Sequence, residues 1–218
     1  MHIYNYIGIQ CIAEHHYGKA KDTENALVIN LNWGVGMGMI LKNELFRGSH
    51  GFAGEFSHIP LSDQNKLCSC GKKGCLEVEA SLLAAIECAR LKLDAGEVSV
   101  LSKLYQLERK ITIDQLMEAA IDGDQLAINS FSRIGYMLGK GIATLIHIVN
   151  PEKVIISGHG ARIGQILLPQ IQAAVVEFSI NRLSKHTSIE ISSLLNVQLI
   201  GTASIAILAL NGETLNIN

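Results

Sequence analysis

Apolar and polar positions along the chain divide it into helices and strands before any chemistry is considered. Residues Tyr6–Tyr17 place Ile9, Ile12 and Ala13 at helical spacing, with Gly18 behind them as a stop. ALVINL at Ala26–Leu31 is short and apolar throughout, which predicts a strand. NWGVGMGMILKNELF follows, predicting a second strand over 39–41 that turns through Lys42, Asn43 and Glu44 into Leu45 and Phe46. Gly34, Gly36 and Gly38 alternate ahead of that strand, a pattern that lets another backbone or a ligand come close. A phosphate cradle and a plain bulge are both compatible with them.

The second half is more helical. Residues 81–93 form an amphipathic pattern with Leu82, Ala85, Ile86, Ala89 and Leu93 inward. Residues 96–110 are polar and weakly patterned, predicting a connection with one helical turn. Thr112 and Gln115 make a capping box for a helix running to about Asp122. Gln125–Val149 is long, largely apolar and stopped by Pro151, so it is buried on most sides, in a core or against a partner chain. KVIIS at Lys153–Ser157 has no alternation, the mark of a strand covered on both faces. It runs into Gly158-His159-Gly160, a glycine turn of the kind at which α/β proteins place ligands, and then a helix over 163–183 containing Pro169. Residues 187–192 alternate like a half-exposed strand, and the small residues of 201–210 predict a closely packed last helix. This order of elements argues for an α/β fold with a mixed sheet, without repeats or a low-complexity linker.

The totals narrow the class. The 218 residues are 48% hydrophobic and 17% charged, with a formal net charge of −2, enough for a sizeable core and without a nucleic-acid footprint. No apolar run reaches the roughly 18 residues of a membrane span, and the first residues lack a basic start and apolar block. Of five cysteines, Cys11 and Cys88 lie in apolar surroundings and read as core, while three crowd into one loop. A reducing compartment with a bound metal accounts for that usage, and the expectation is a cytoplasmic protein.

The crowded loop carries the chemistry. His58 precedes Cys68, Cys70 and Cys75, spaced C-x-C-x4-C, and three thiolates with one imidazole are a standard structural zinc set. Gly71 and Gly74 supply the backbone freedom to wrap a chain around an ion. Unrelated buried thiols beside a loop histidine are the alternative, but KLCSCGKKGC is polar and without apolar periodicity. Glu55 and Glu77 flank the loop and, taken alone, read as two solvated charges.

Those residues also form a pattern. E-x-x-H at Glu55 to His58 and C-x-C-G-x-x-G-C-x-E at Cys68 to Glu77 resemble the signature of the ROK family of repressors and sugar kinases. LGKGIATLIHIVNPEKVIISG (138–158) resembles that family's late helix, Asn-Pro turn and glycine-ended strand, and GTASIAIL is similar to its closing helix. The resemblance implies an actin-like, ribonuclease H-like sugar-kinase fold of two α/β lobes with sugar between them. No Asp-x-Gly-x-Thr phosphate hairpin and no helix-turn-helix occurs within 1–218, so the resemblance assigns the whole chain to the second lobe, with residues 55–77 as the zinc loop.

Carried over residue by residue, the family's sugar-holding Asn-Asp pair falls on Asn5 and Tyr6, and its remaining sugar ligands on Glu55, His58 and Glu77. Carboxylates suit sugar hydroxyls through charge-assisted hydrogen bonds, and His58 can ligate zinc through one nitrogen while holding a hydroxyl with the other. The family's kinases use that Asp as general base; a Tyr6 phenol, with a pKa of about 10, is a poor base at neutral pH. Asn32-Trp33-Gly34 stands where the kinases have Gly-Thr-Gly; Trp33, which taken alone reads as a buried anchor of the hairpin, is in either case badly suited to close approach by a triphosphate, and His159 interrupts the late glycine run. The resemblance thus implies no catalytic residue and a regulator's sugar-effector domain, zinc-stabilised, homodimeric, and reaching DNA only through a domain outside this chain. The alternative it leaves is a glucokinase or N-acetylhexosamine kinase whose first lobe lies outside 1–218.

Overall fold

The computed structural model describes residues 6–210. Helix α1 (Tyr6–Tyr17) leads into strands β1 (Ala26–Leu31), β2 (Val35–Leu41) and β3 (Glu44–Phe46). A 3-10 turn at Phe56–His58 and the one-turn helix α2 (Glu77–Ala80) bracket the cysteine loop. Helices α3 (Leu82–Asp94), α4 (Ser102–Glu108), α5 (Ile113–Ile121) and α6 (Gln125–Val149) precede strand β4 (Lys153–Ser157) and a second 3-10 turn, His159–Ile163. Helices α7 (Gly164–Phe178) and α8 (Asn181–Ser184), strand β5 (Ser188–Ile191) and helix α9 (Val197–Leu210) complete the order.

The five strands form one mixed sheet in the order β3-β2-β1-β4-β5. β1 pairs antiparallel with β2 and parallel with β4, and is buried at every position. Its alternate side chains serve two cores. Leu27, Ile29 and Leu31 join Val154 and Ile156 against α3, α5, α6 and α7. Ala26 and Val28 join Ile40, Ile155 and Cys11 of α1 on the opposite face. A strand covered on both faces gains from being apolar at each position, which is why ALVINL and KVIIS lack alternation. α9 packs on α1 outside that second core, making three layers.

Several elements depart from the sequence expectation. β2 starts at Val35, not at residue 39, and takes in Gly36 and Gly38. Its register runs unbroken from Val28↔Gly38 to Leu31↔Val35, so there is no bulge. Gly38 instead makes room for a helix: a Cβ there would stand 2.2 Å from the Cys11 Sγ. Gly38→Val is therefore expected to push α1 off the sheet, costing about 1–3 kcal/mol, read as a lower denaturant midpoint; an unchanged midpoint would show that α1 is not seated there.

The expected helix over 163–183 is split, because Ser179 is extended and separates α7 from α8. The weakly patterned 96–110 contains α4, held by Tyr105 Oη donating to Asp94 at 2.8 Å. α9 begins four residues before the expected position. Cys88, expected in the core, is only half-buried, while Ile86 is half-buried and packs against the core as expected. The apolar side of α6 lies within the chain's own core against α7 and α3, so its composition needs no partner chain. Among the described residues no helix is long and apolar enough to cross a membrane.

Candidate functional site

His58 and Glu55 are placed by the entry to the cysteine loop. Gly54 has φ +98°, and a Cβ there would meet the Met37 carbonyl oxygen of β2 at 2.2 Å, so only glycine lets the chain turn this tightly into Glu55. The loop then closes on itself. Leu61 N and Ser62 N donate to the Gly74 carbonyl, Cys68 N to Lys72 and Leu76 N to Ile59. Gly71 and Gly74 take the positive φ values these turns require.

This folding gathers one donor atom from each of His58, Cys68, Cys70 and Cys75 within 4.8 Å of one another. Cys70 Sγ is 3.6 Å from Cys75 Sγ, and Cys68 Sγ is 3.6 Å from His58 Nδ1. Sulfurs on a tetrahedron about 2.3 Å from a zinc ion are about 3.8 Å apart, so the spacing suits an ion at the centre. Burial pushes the Cys75 thiol up to about 12, whereas the Lys72 backbone N–H holds the exposed Cys70 thiol below its ordinary value. A cation that replaces their protons relieves both the buried charge and the crowding of sulfurs. The donor set fits a structural metal.

The imidazole faces two ways. Its Nδ1 points at the thiols, and its Nε2 lies 3.7 Å from Glu55 Oε2. Glu77, the first residue of α2, accepts from Val35 N at 3.4 Å and lies 4.0 Å from Cys68 Sγ. The structure thus brings Glu55, His58, Cys68 and Glu77 into one continuous line. Asn5 and the Tyr6 side chain lie outside the described residues. Beside Glu77 opens a cavity of about 560 Å³ lined by Asn30, Asn32, Trp33, Gly34 and Gly36. Trp33 is not the expected buried anchor: at the tip of the β1–β2 hairpin it is 60% exposed.

Sequence reading missed the polar ladder behind this cavity. Gln10 Nε2 donates to Asn30 Oδ1 at 3.3 Å, Asn32 Nδ2 donates to the same oxygen at 3.0 Å, and His159 N donates to Asn32 Oδ1 at 3.2 Å. The ladder joins α1, the C-terminal end of β1 and the turn after β4. Glu14, fully buried in α1, accepts from Ser157, from Ser192 and from Lys19 N. Glu79, two residues after Glu77 and 2% exposed, takes Lys66, Arg133 and Ser62 as partners. Their only sequence signal is a polar residue amid apolar ones, which burial alone could have interpreted. At the outer end of the ladder the Arg162 hydrogen bond holds the Asp114 carboxyl below its ordinary range, with His159 Nε2 3.1 Å away.

Residues 2–209 match the ROK family. The chain is 32% identical over 167 residues to the DNA-binding transcriptional dual regulator NagC of Escherichia coli strain K12, covering 75% of this chain and 39% of the relative. Among solved structures, a ROK family transcriptional regulator described as a homolog of the E. coli MLC protein superposes with a TM-score of 0.85 and 32% identity, over 96% of this chain and 52% of that one. A ROK family glucokinase from Streptomyces griseus, in complex with glucose and AMPPNP, superposes with a TM-score of 0.83 and 27% identity, over 93% and 67% of the two chains. The chain thus spans about two fifths of the regulator NagC and about half of the solved regulator.

Proposed function

Because this chain belongs to the ROK family, with its actin-like sugar-kinase fold, we propose that it is the sugar-sensing lobe of a ROK transcriptional regulator. In this reading all of residues 1–218 form the second lobe. A zinc ion held by His58, Cys68, Cys70 and Cys75 fixes the loop, while Asn5, Glu55, His58 and Glu77 hold the sugar. One observation carries the reading: the His58 ring, with Nδ1 on the thiol side and Nε2 beside Glu55, ties the metal loop to the cleft. The metal does no chemistry of its own; it locks the imidazole orientation and the start of α2, and so the carboxylates that meet hydroxyls.

Sensing without phosphoryl transfer is supported by two side chains. Tyr6 occupies the position of the kinase general base, and a phenol does not accept a hydroxyl proton readily near pH 7. Trp33 projects from the hairpin tip, where a phosphate group would need a bare backbone to approach. Bound sugar favours one arrangement of two lobes, and a DNA-binding domain outside this chain reads the population shift in a cytoplasmic homodimer.

Calorimetry of the full-length protein with N-acetylglucosamine, glucose and xylose tests the sensing part. Binding of one of them with no sugar-dependent ATP turnover is expected. Turnover would instead establish the kinase reading, which the superposition on the S. griseus glucokinase favours. No binding of any sugar would remove both.

A further inference from the structure

Trp33 is the single tryptophan of the chain, and it stands 60% exposed between two cavities. One is the polar cavity at Asn30, Asn32 and Glu77. The other, of about 640 Å³, runs from Trp33 past the cysteine loop to the start of α3. Trp33, Gly34 and Glu77 line both, so the two adjoin across a shared wall. Their chemistries differ. Two amides and a carboxylate stand beside Trp33 and Val35 in the first, whereas Trp33, Leu67 and Leu83 give the second its apolar walls. Leu67 and Leu83 are 70% and 56% exposed, and Ser69, Lys66 and Glu87 supply polar groups around them.

A scattered exposed apolar residue needs no explanation, but three from separate elements facing one cavity beside a polar cleft form a surface of definite character. It is flat and apolar on an indole face, with hydrogen-bonding groups at the rim. A pyranose ring has the matching form, with a C–H face for an aromatic plane and hydroxyls around its edge. A lipid chain would leave the adjoining amides and carboxylate unpaired, whereas two linked sugar rings use both cavities.

We propose that the cleft takes a disaccharide or other glycoside, with one ring at Glu77 and the second ring stacked on Trp33. This rests on the placement of sugar at Glu77 proposed above, and names a longer ligand than a free monosaccharide. Leu67 and Leu83 bound the second ring, and Trp33 sets the preference for it.

The lone tryptophan reports directly on the event. The full chain, zinc-loaded, is titrated with N-acetylglucosamine and diacetylchitobiose, glucose and cellobiose, xylose and xylobiose, and separately with ATP, following indole emission and heat. One disaccharide is expected to shift emission to the blue and to bind about tenfold tighter than its own monosaccharide. Trp33→Ala should cost the disaccharide more affinity than the monosaccharide and so bring the two together, and Trp33→Phe should restore part of the difference. Equal affinities in the unaltered protein, a bound disaccharide that leaves emission unmoved, or an emission shift with ATP alone would overturn the proposal while leaving the Glu77 site standing. Heat from none of the six sugars would overturn the Glu77 placement itself, and this proposal with it.

Discussion

Removing the metal with a chelator is expected to lower the thermal midpoint by about 8–16 °C. An ion present at about a thousandfold over its dissociation constant stabilises the folded chain by about 4 kcal/mol, and a domain of this size shifts by about 2–4 °C per kcal/mol. Cys75→Ser should reproduce the loss without chelator, since it deletes a buried donor. The pH dependence should change sign between the two forms. Ligated thiols are held as thiolates, below their unfolded values, so the metal's contribution is present near neutral pH and lost on acidification as protons displace it. In the metal-free protein burial raises Cys75 from an ordinary value of 9.0 to about 12. That group favours the fold below pH 9 and ceases to do so as pH climbs toward 12. Thermal midpoints measured with and without zinc across pH 5 to 10 would show the loaded form failing on the acid side and the stripped form on the alkaline side. Purified protein without zinc, or midpoints indifferent to chelator, would remove the metal from the account.

The backbone of this result was legible before any coordinates. Helix Gln125–Val149 and strands Ala26–Leu31 and Lys153–Ser157 were delimited to the residue, because long period or continuous apolarity is a signal that tertiary contacts only reinforce. The donor quartet was legible for a different reason, since a metal loop draws its ligands from close in sequence. On sequence Gly38 leaves a cradle and a bulge both open, because what it accommodates, Cys11 on α1, lies more than twenty residues away. The size of Trp33 suggests burial, yet its place at the hairpin tip leaves it 60% exposed among the described residues. The ladder of Gln10, Asn30, Asn32 and His159 joins four short polar signals across three elements, and no local spacing announces such a network.

Glu77 and Glu79 show how the same residue type two positions apart is expected to fail in opposite ways. On a helix they point about 200° apart. Glu77 faces the cleft, with Val35 N and Cys68 as its neighbours, and Glu79 points inward to Lys66 and Arg133. Glu79→Ala strands two cations around a 2% exposed position and unties α2 from α6. Full removal of one partner from a buried ion pair costs about 3–5 kcal/mol; here Lys66 and Arg133 are themselves 31% and 48% exposed, and water offsets part of the loss, leaving about 2–3 kcal/mol. The thermal midpoint should fall by roughly 4–12 °C, with sugar affinity at low temperature little changed. Glu77→Gln keeps an oxygen for Val35 N and should leave the midpoint within about 1–2 °C. It removes the charge from the hydrogen bonds offered to sugar, so affinity should drop about 10- to 100-fold by calorimetry. A stability loss in the Glu77 variant with affinity intact would make this carboxylate a structural strut of the metal loop. The Glu79 variant losing affinity alone would place the cleft on the inner side of α2.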